Sequence, residues 1–160
     1  MPEPLADQIV YKVKQAAELY YRLVLVVAPT GGGKTSALQD VRDRMGVPLI
    51  NVNLDLSRRM LDLTERQRAL RLPRIFGEIV NSGSNDLTLL DNTEIIFDVV
   101  LKQDPLRLLQ GLSRNQTVVA SWSGAIDENS ITCALPDHPE YRRYPVRDFL
   151  FVSAGTTMGI

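Results

Sequence analysis

Leu23-Val24-Leu25-Val26-Val27-Ala28-Pro29-Thr30-Gly31-Gly32-Gly33-Lys34-Thr35-Ser36 is the stretch on which the fold turns. Its first five residues are apolar and rich in β-branched side chains, the composition of a strand buried on both faces at the centre of a parallel sheet. The next eight, Ala28 to Thr35, match the phosphate-loop pattern [AG]-x-x-x-x-G-K-[ST], with Ala where Gly is commoner. Gly31, Gly32 and Gly33 allow backbone conformations closed to bulkier residues, so that successive N–H groups can face a polyphosphate. A helix starting near Gly33 adds its unpaired N–H groups and the positive end of its dipole. The expected cradle is Pro29, Thr30, Gly31, Gly32, Gly33, Lys34, Thr35 and Ser36, holding ATP with Mg2+. In it Lys34 reaches the β- and γ-phosphates and the Thr35 hydroxyl ligates the metal. A chance glycine-rich turn does not explain why a buried strand precedes the loop and a helical segment comes after it.

Outward from this stretch, Leu5, Ile9, Val13, Ala16 and Tyr20 recur at helical spacing and predict a helix over 5–21. Residues 34–45 predict a second helix, closed near Gly46, and Pro48 opens an apolar run, 49–54, expected as a strand. Residues 57–80 read as helix broken or kinked at Pro73, and 81–85 as a loop. Leu87 to Asp91 is a strand, 94–102 a helix, and Asp104-Pro105 an N-cap and first turn for a helix to Leu112. Thr117 to Trp122 and Phe149 to Val152 are further strands, and 131–135 a short edge strand or extended loop. The alternation predicts one α/β domain over 1–160: a three-layer phosphate-loop fold with a mostly parallel central sheet.

Hydrolysis also requires a carboxylate to organise the metal and a group to orient or deprotonate water. Asp91 ends an apolar strand, at the sheet edge where open α/β folds bind ligands, and is the expected partner of Thr35 at Mg2+. Many ATPases place a catalytic Glu directly after this Asp. Here Asn92 and Thr93 intervene before Glu94. Glu94 is therefore either the catalytic carboxylate or an acid stabilised by a helix N-terminus. The strand at 49–54, between the loop and Asp91, resembles that of the additional-strand class of ATPases, the AAA+-like proteins. In that class a polar sensor near the γ-phosphate falls at Ser121 or Ser123, and an arginine reaching a neighbouring subunit's nucleotide at Arg142 or Arg143; a turn serine and solvated arginines are the plain alternatives. A separate lid domain is not expected after the last strand.

Composition narrows the partners. Lys+Arg 18 against Asp+Glu 19 gives no global attraction to nucleic acid or anionic membranes. One cysteine, Cys133, excludes an internal disulfide, and the lone His138 has no companions for metal. No apolar run is long enough to span a bilayer and no signal-peptide pattern opens the chain, so a cytoplasmic protein is expected. One local bias stands out: Arg58, Arg59, Arg66, Arg68, Arg71 and Arg74 face only Asp62 and Glu65 between Ser57 and Arg74. That segment is a candidate DNA contact or a solvated helix face, and no aromatic residue lies within it to stack on bases. Tyr20 and Tyr21, before the first strand, either lean on an adenine or pack in the core.

Together the loop, Leu89-Leu90-Asp91-Asn92-Thr93-Glu94, Val119-Ala120-Ser121-Trp122-Ser123-Gly124 and His138-Pro139-Glu140-Tyr141-Arg142-Arg143-Tyr144 resemble the BrxF family. These are the small phosphate-loop proteins of type 3 BREX phage-defence systems. The resemblance implies a bacterial cytoplasmic subunit of a multi-protein complex that restricts phage DNA alongside a methyltransferase. It leaves three activities open: an ATPase or ATP-dependent assembly subunit, homo-oligomeric if an arginine completes a neighbour's site; a small nucleotide or metabolite kinase; and a non-catalytic, nucleotide-gated DNA- or protein-binding module. The absence of Asn-Lys-x-Asp favours ATP over GTP.

Overall fold

Every residue of β1 (Leu23–Ala28) is buried, and its side chains alternate between two separate cores. Leu23, Leu25 and Val27 enter one with Leu90, Val118, Ala120 and Trp122; Val24 and Val26 enter the other with Leu89 and Val119. A strand that serves two cores has no solvent face, which is why its sequence is a continuous apolar run rather than an alternating one. The computed structural model describes residues 4–28, 33–82, 86–127, 129–133 and 142–153.

The sheet core runs β2 (Leu49–Asn51), β3 (Leu87–Asp91), β4 (Thr117–Ile126), β1, β7 (Leu150–Ser153), all parallel. On one face lie α1 (Leu5–Ala16) and α2 (Lys34–Met45), joined where Arg44 bridges Asp7 of α1 and Asp40 of α2. On the other lie α3 (Val52–Arg59), α4 (Glu65–Asn81) and α5 (Pro105–Leu112). The α/β class and the mostly parallel sheet agree with expectation. The strand lying between β1 and β3, however, is β4, and β2 is the sheet's outer edge.

Several local expectations change. The first helix ends at Ala16, not near 21, so Tyr20 and Tyr21 sit just ahead of β1 at the edge opposite Asp91. There they pack edge to face on each other, with the Arg114 guanidinium over Tyr20. The strand expected over 49–54 stops at Asn51, whose side chain accepts from Leu54 N (3.1 Å) and caps α3. The helix expected over 94–102 is two 3-10 turns, 94–97 and 99–101, parted by the extended Asp98.

Pro73 does not split α4. Proline lacks the N–H that would satisfy the Ala69 carbonyl, and the Gln103 side-chain amide takes that carbonyl at 2.7 Å. A capping box between Thr64 and Gln67 closes the other end.

β4 continues past the parallel core to pair antiparallel with β5 (Ser130–Cys133), and β5 pairs with β6 (Arg142–Pro145). The segment expected as a plain approach to the last strand is thus itself a strand. The Trp122 indole N–H donates to Thr132 O (3.0 Å) and its ring meets Phe97 and Tyr144 edge to face. Gly124 is dictated by this packing: a Cβ there would lie 1.8 Å from the Thr132 carbonyl oxygen. Gly124→Ala should cost about 3 kcal/mol, as overpacking of a rigid backbone contact does, and lower the unfolding temperature by roughly 10 °C. Differential scanning fluorimetry checks it; an unchanged midpoint would mean the hairpin gives way freely.

Candidate functional site

β1 and β3 end at the same sheet edge, and the site is assembled there from the start of α2, the end of β3 and the turn after it. Gly33, in the left-handed region at φ 87°, starts α2, and Lys34 is its first helical residue. The first N–H groups of an α-helix lack an intrahelical acceptor as a rule, so the start of α2 at Lys34 is the kind of helix end that binds anions. Pro29, Thr30, Gly31 and Gly32, the rest of the expected cradle, lie outside the described residues, as does His138.

Thr35 and Asp91 meet. The Thr35 hydroxyl donates to Asp91 Oδ2 at 2.6 Å, joining residues 56 positions apart, and Asp91 is buried. Such a pair, one hydroxyl and one carboxylate oxygen, is a hard-oxygen donor set of the kind Mg2+ takes alongside phosphate and water. Lys34 is buried too, with Nζ donating to Ala28 O at 3.1 Å. Burial pulls its pKa below the usual lysine value, while the charges of Glu94 and Asp91 work the other way. One ammonium and two carboxylates therefore share this edge.

Asn92 is left-handed at φ 51°, a conformation asparagine tolerates far better than glutamate does. A glutamate at 92, directly after Asp91, would therefore sit on strained backbone. Thr93 then ties the chain to β4 by donating to Ser121 O at 2.7 Å, and Glu94 opens the 3-10 turn. Its carboxylate is held at both oxygens: Asn53 Nδ2 donates to Oε1 (3.1 Å) and Ser123 Oγ to Oε2 (3.2 Å). Glu94 is consequently oriented by side chains from α3 and β4 and coupled to Lys34, rather than resting on a helix dipole alone.

Asn53 was hidden in the sequence because the run 49–54 reads as a strand. Its backbone N–H donates to Asn92 O (2.9 Å), its side-chain oxygen accepts from Ile95 N (2.8 Å), and its amide holds Glu94. A single polar residue between Val52 and Leu54 was the available signal. Of the two sensor candidates, Ser123 reaches Glu94, whereas the Ser121 contact to this edge runs through its backbone oxygen.

The arginines of the two other groups do not converge here. Arg142 turns toward α5, donating to Gln103 O at 3.1 Å, while Arg143 is exposed with Asp127 3.9 Å away. The six arginines of 58–74 divide among three environments. Arg68 folds back onto the Leu63 carbonyl (3.1 Å), Arg59 and Arg74 flank Glu78 (3.7 and 3.4 Å), and Arg58, Arg66 and Arg71 are exposed with no ion pair among the described residues. No helix of the described residues is long and apolar enough to cross a membrane.

No family model and no curated protein matches the chain. Among solved structures it is similar to that of PCH-2 from C. elegans, at 14% identity and a TM-score of 0.43, over 78% of this chain. The chain spans 38% of the length of that protein.

Proposed function

We propose that this chain binds ATP with Mg2+ through a phosphate loop and hydrolyses it, as an ATPase of the additional-strand, AAA+-like class. The observation that carries the reading is the 2.6 Å bond between Thr35, behind the glycines, and the buried Asp91 at the end of β3. Two residues picked out as metal ligands from motif logic are in contact across 56 residues of chain. The order of the parallel strands, with β4 between β1 and β3, supports the class.

In this reading the N–H groups at the start of α2 bind the phosphates, and Lys34 turns from Ala28 O to the β- and γ-oxygens. Thr35 and Asp91 hold the metal, which when bound neutralises charge on the transferring phosphoryl group. Glu94, aimed by Asn53 and Ser123, accepts the proton of the attacking water as the oxygen–phosphorus bond forms and the bond to the β–γ bridging oxygen breaks, releasing ADP and phosphate. Arg143, exposed on β6, supplies positive charge to a neighbour's nucleotide in a homo-oligomer; Arg142, engaged with Gln103, secures the extension instead. From the segments at 89–94, 119–124 and 138–144 we further propose that the ATPase serves a bacterial, cytoplasmic phage-defence complex of the BREX kind.

Asp91→Ala tests the metal assignment. It should weaken ATP binding about 10-fold in millimolar Mg2+ and abolish the difference between Mg2+ and EDTA, since one charged ligand to a divalent ion is lost. Titration calorimetry in both conditions measures this. A variant that keeps the Mg2+ dependence of the wild type would remove Asp91 from the site.

A further inference from the structure

β2 closes one side of the sheet, and the way it pairs decides what its open side offers. Leu89 N donates to Pro48 O at 3.0 Å, and Leu49 lies opposite Leu89. In a parallel ladder that register turns the N–H and C=O of Ile50 toward β3, and those of Leu49, with the N–H of Asn51, away from it. No strand lies beyond β2 among the described residues; Asn51 is exposed, and Leu49 and Ile50 are half-buried. Outward main-chain groups along a sheet edge are a template for another strand, and Leu49-Ile50-Asn51 carries no charge to repel one.

Beside this edge, on the face that carries α3 and α4, lies a cavity of about 150 Å³ with an apolar floor of Pro48, Ile50, Ile79 and Val80. Asp55 and Arg59, one helical turn apart on α3, form its polar wall. Asp55 has no ion pair among the described residues, while Arg59 lies 3.7 Å from Glu78, which Arg74 also approaches at 3.4 Å. These two acids and two arginines balance, so neither a polyanion nor a polycation meets a field of one sign here.

A second copy of the chain fits both the edge and the balanced charge, because each is complementary to itself about a twofold axis. With β2 laid antiparallel to its copy and the axis at Ile50, Leu49 of each falls opposite Asn51 of the other. The outward groups then form hydrogen-bonded pairs, Asn51 N–H donating to Leu49 O and Leu49 N–H to Asn51 O. The two Ile50 residues make the non-hydrogen-bonded pair, in which side chains approach most closely, on the side of the apolar floor. The α3 helices run antiparallel across the axis, which sets Asp55 of each copy toward Arg59 of the other. We infer that this chain pairs with a second copy of itself, edge strand to edge strand through β2. The inference does not rest on the ATPase reading, since it uses none of Lys34, Thr35, Asp91, Glu94 or Arg143.

The test is sedimentation velocity on the full chain without nucleotide, from about 5 to about 500 μM, where so short an edge should give a dimer with a dissociation constant of about 50 μM. A twofold pairing carries a signature that other interfaces lack. Asp55→Arg and Arg59→Asp should each weaken the dimer about 10-fold by setting like charges across the axis, and the double exchange should restore it to within about threefold of wild type. Unchanged unfolding midpoints verify that the variants fold. A second measurement places the axis: in a Cys133→Ala background, which removes the buried native thiol, Ile50→Cys should oxidise to a covalent dimer about 10 times faster than Leu70→Cys with oxidised glutathione. A monomer throughout the range, an oligomer indifferent to both charge reversals, a double exchange that fails to restore pairing, or equal cross-linking at 50 and 70 each overturns the inference.

Discussion

Lys34→Ala should raise the dissociation constant for ATP·Mg2+ about 100-fold, the worth of charge-assisted contacts to two phosphates in a partly buried site. The same change should leave the unliganded protein as stable as the wild type, or more so. The reason is the sign of the pKa shift. Burial depresses Lys34 below the ordinary 10.5, so in the window between the folded and unfolded pKa values the unfolded chain binds more protons, and stability rises with pH across it. Below that window the folded protein carries a buried ammonium at a cost that alanine does not incur. The apparent ATP affinity of the wild type should fall as pH rises through the depressed pKa, earlier than for an exposed lysine. A structural lysine would behave the opposite way: Lys34→Ala would unfold at lower temperature and bind ATP normally.

Glu94→Gln should lower turnover about 1,000-fold while ATP binding stays within a factor of about two, the pattern expected when a general base is removed and its shape is kept. Glutamine retains the acceptor for Asn53 Nδ2 (3.1 Å) and offers an amide to Ser123 Oγ, so the 3-10 turn survives the change. Asn53→Ala should produce a milder loss of turnover, about 10-fold, because the carboxylate remains but is no longer aimed. If Glu94 only stabilised the start of its turn, Glu94→Gln would shift the unfolding midpoint and spare the rate. Steady-state phosphate release alongside nucleotide binding separates the two.

How much of this was legible in the sequence depends on which forces act locally. β1, α2, β3 and α5 were readable because each is specified within its own residues: a run apolar on both faces, a glycine at φ 65° closing α2 at Gly46, and an Asp104-Pro105 start. The pairing of Thr35 with Asp91 was readable only through motif logic, since nothing in either segment alone encodes a contact across 56 residues. The readings that failed depended on neighbours. Val52 to Leu54 has strand composition, yet Asn51 caps a helix there and Asn53 is needed at Glu94. Pro73 reads as a helix break until a glutamine 30 residues later takes the orphaned carbonyl. Residues 94–102 have helical periodicity, but Asn92 in the left-handed region and the extended Asp98 cut them into short turns. Arg142 and Arg143 are adjacent in a strand, so they point to opposite sides, and only Arg143 is left to solvent.

The most direct test is a crystal structure with Mg2+ and a non-hydrolysable ATP analogue. The expected result is the triphosphate on the N–H groups at the start of α2, Lys34 moved from Ala28 O onto its β- and γ-oxygens, and the metal held by Thr35 and Asp91 with Glu94 facing the γ-phosphate. A nucleotide bound at any other place, with the Thr35–Asp91 and Lys34–Ala28 bonds unchanged, would contradict it.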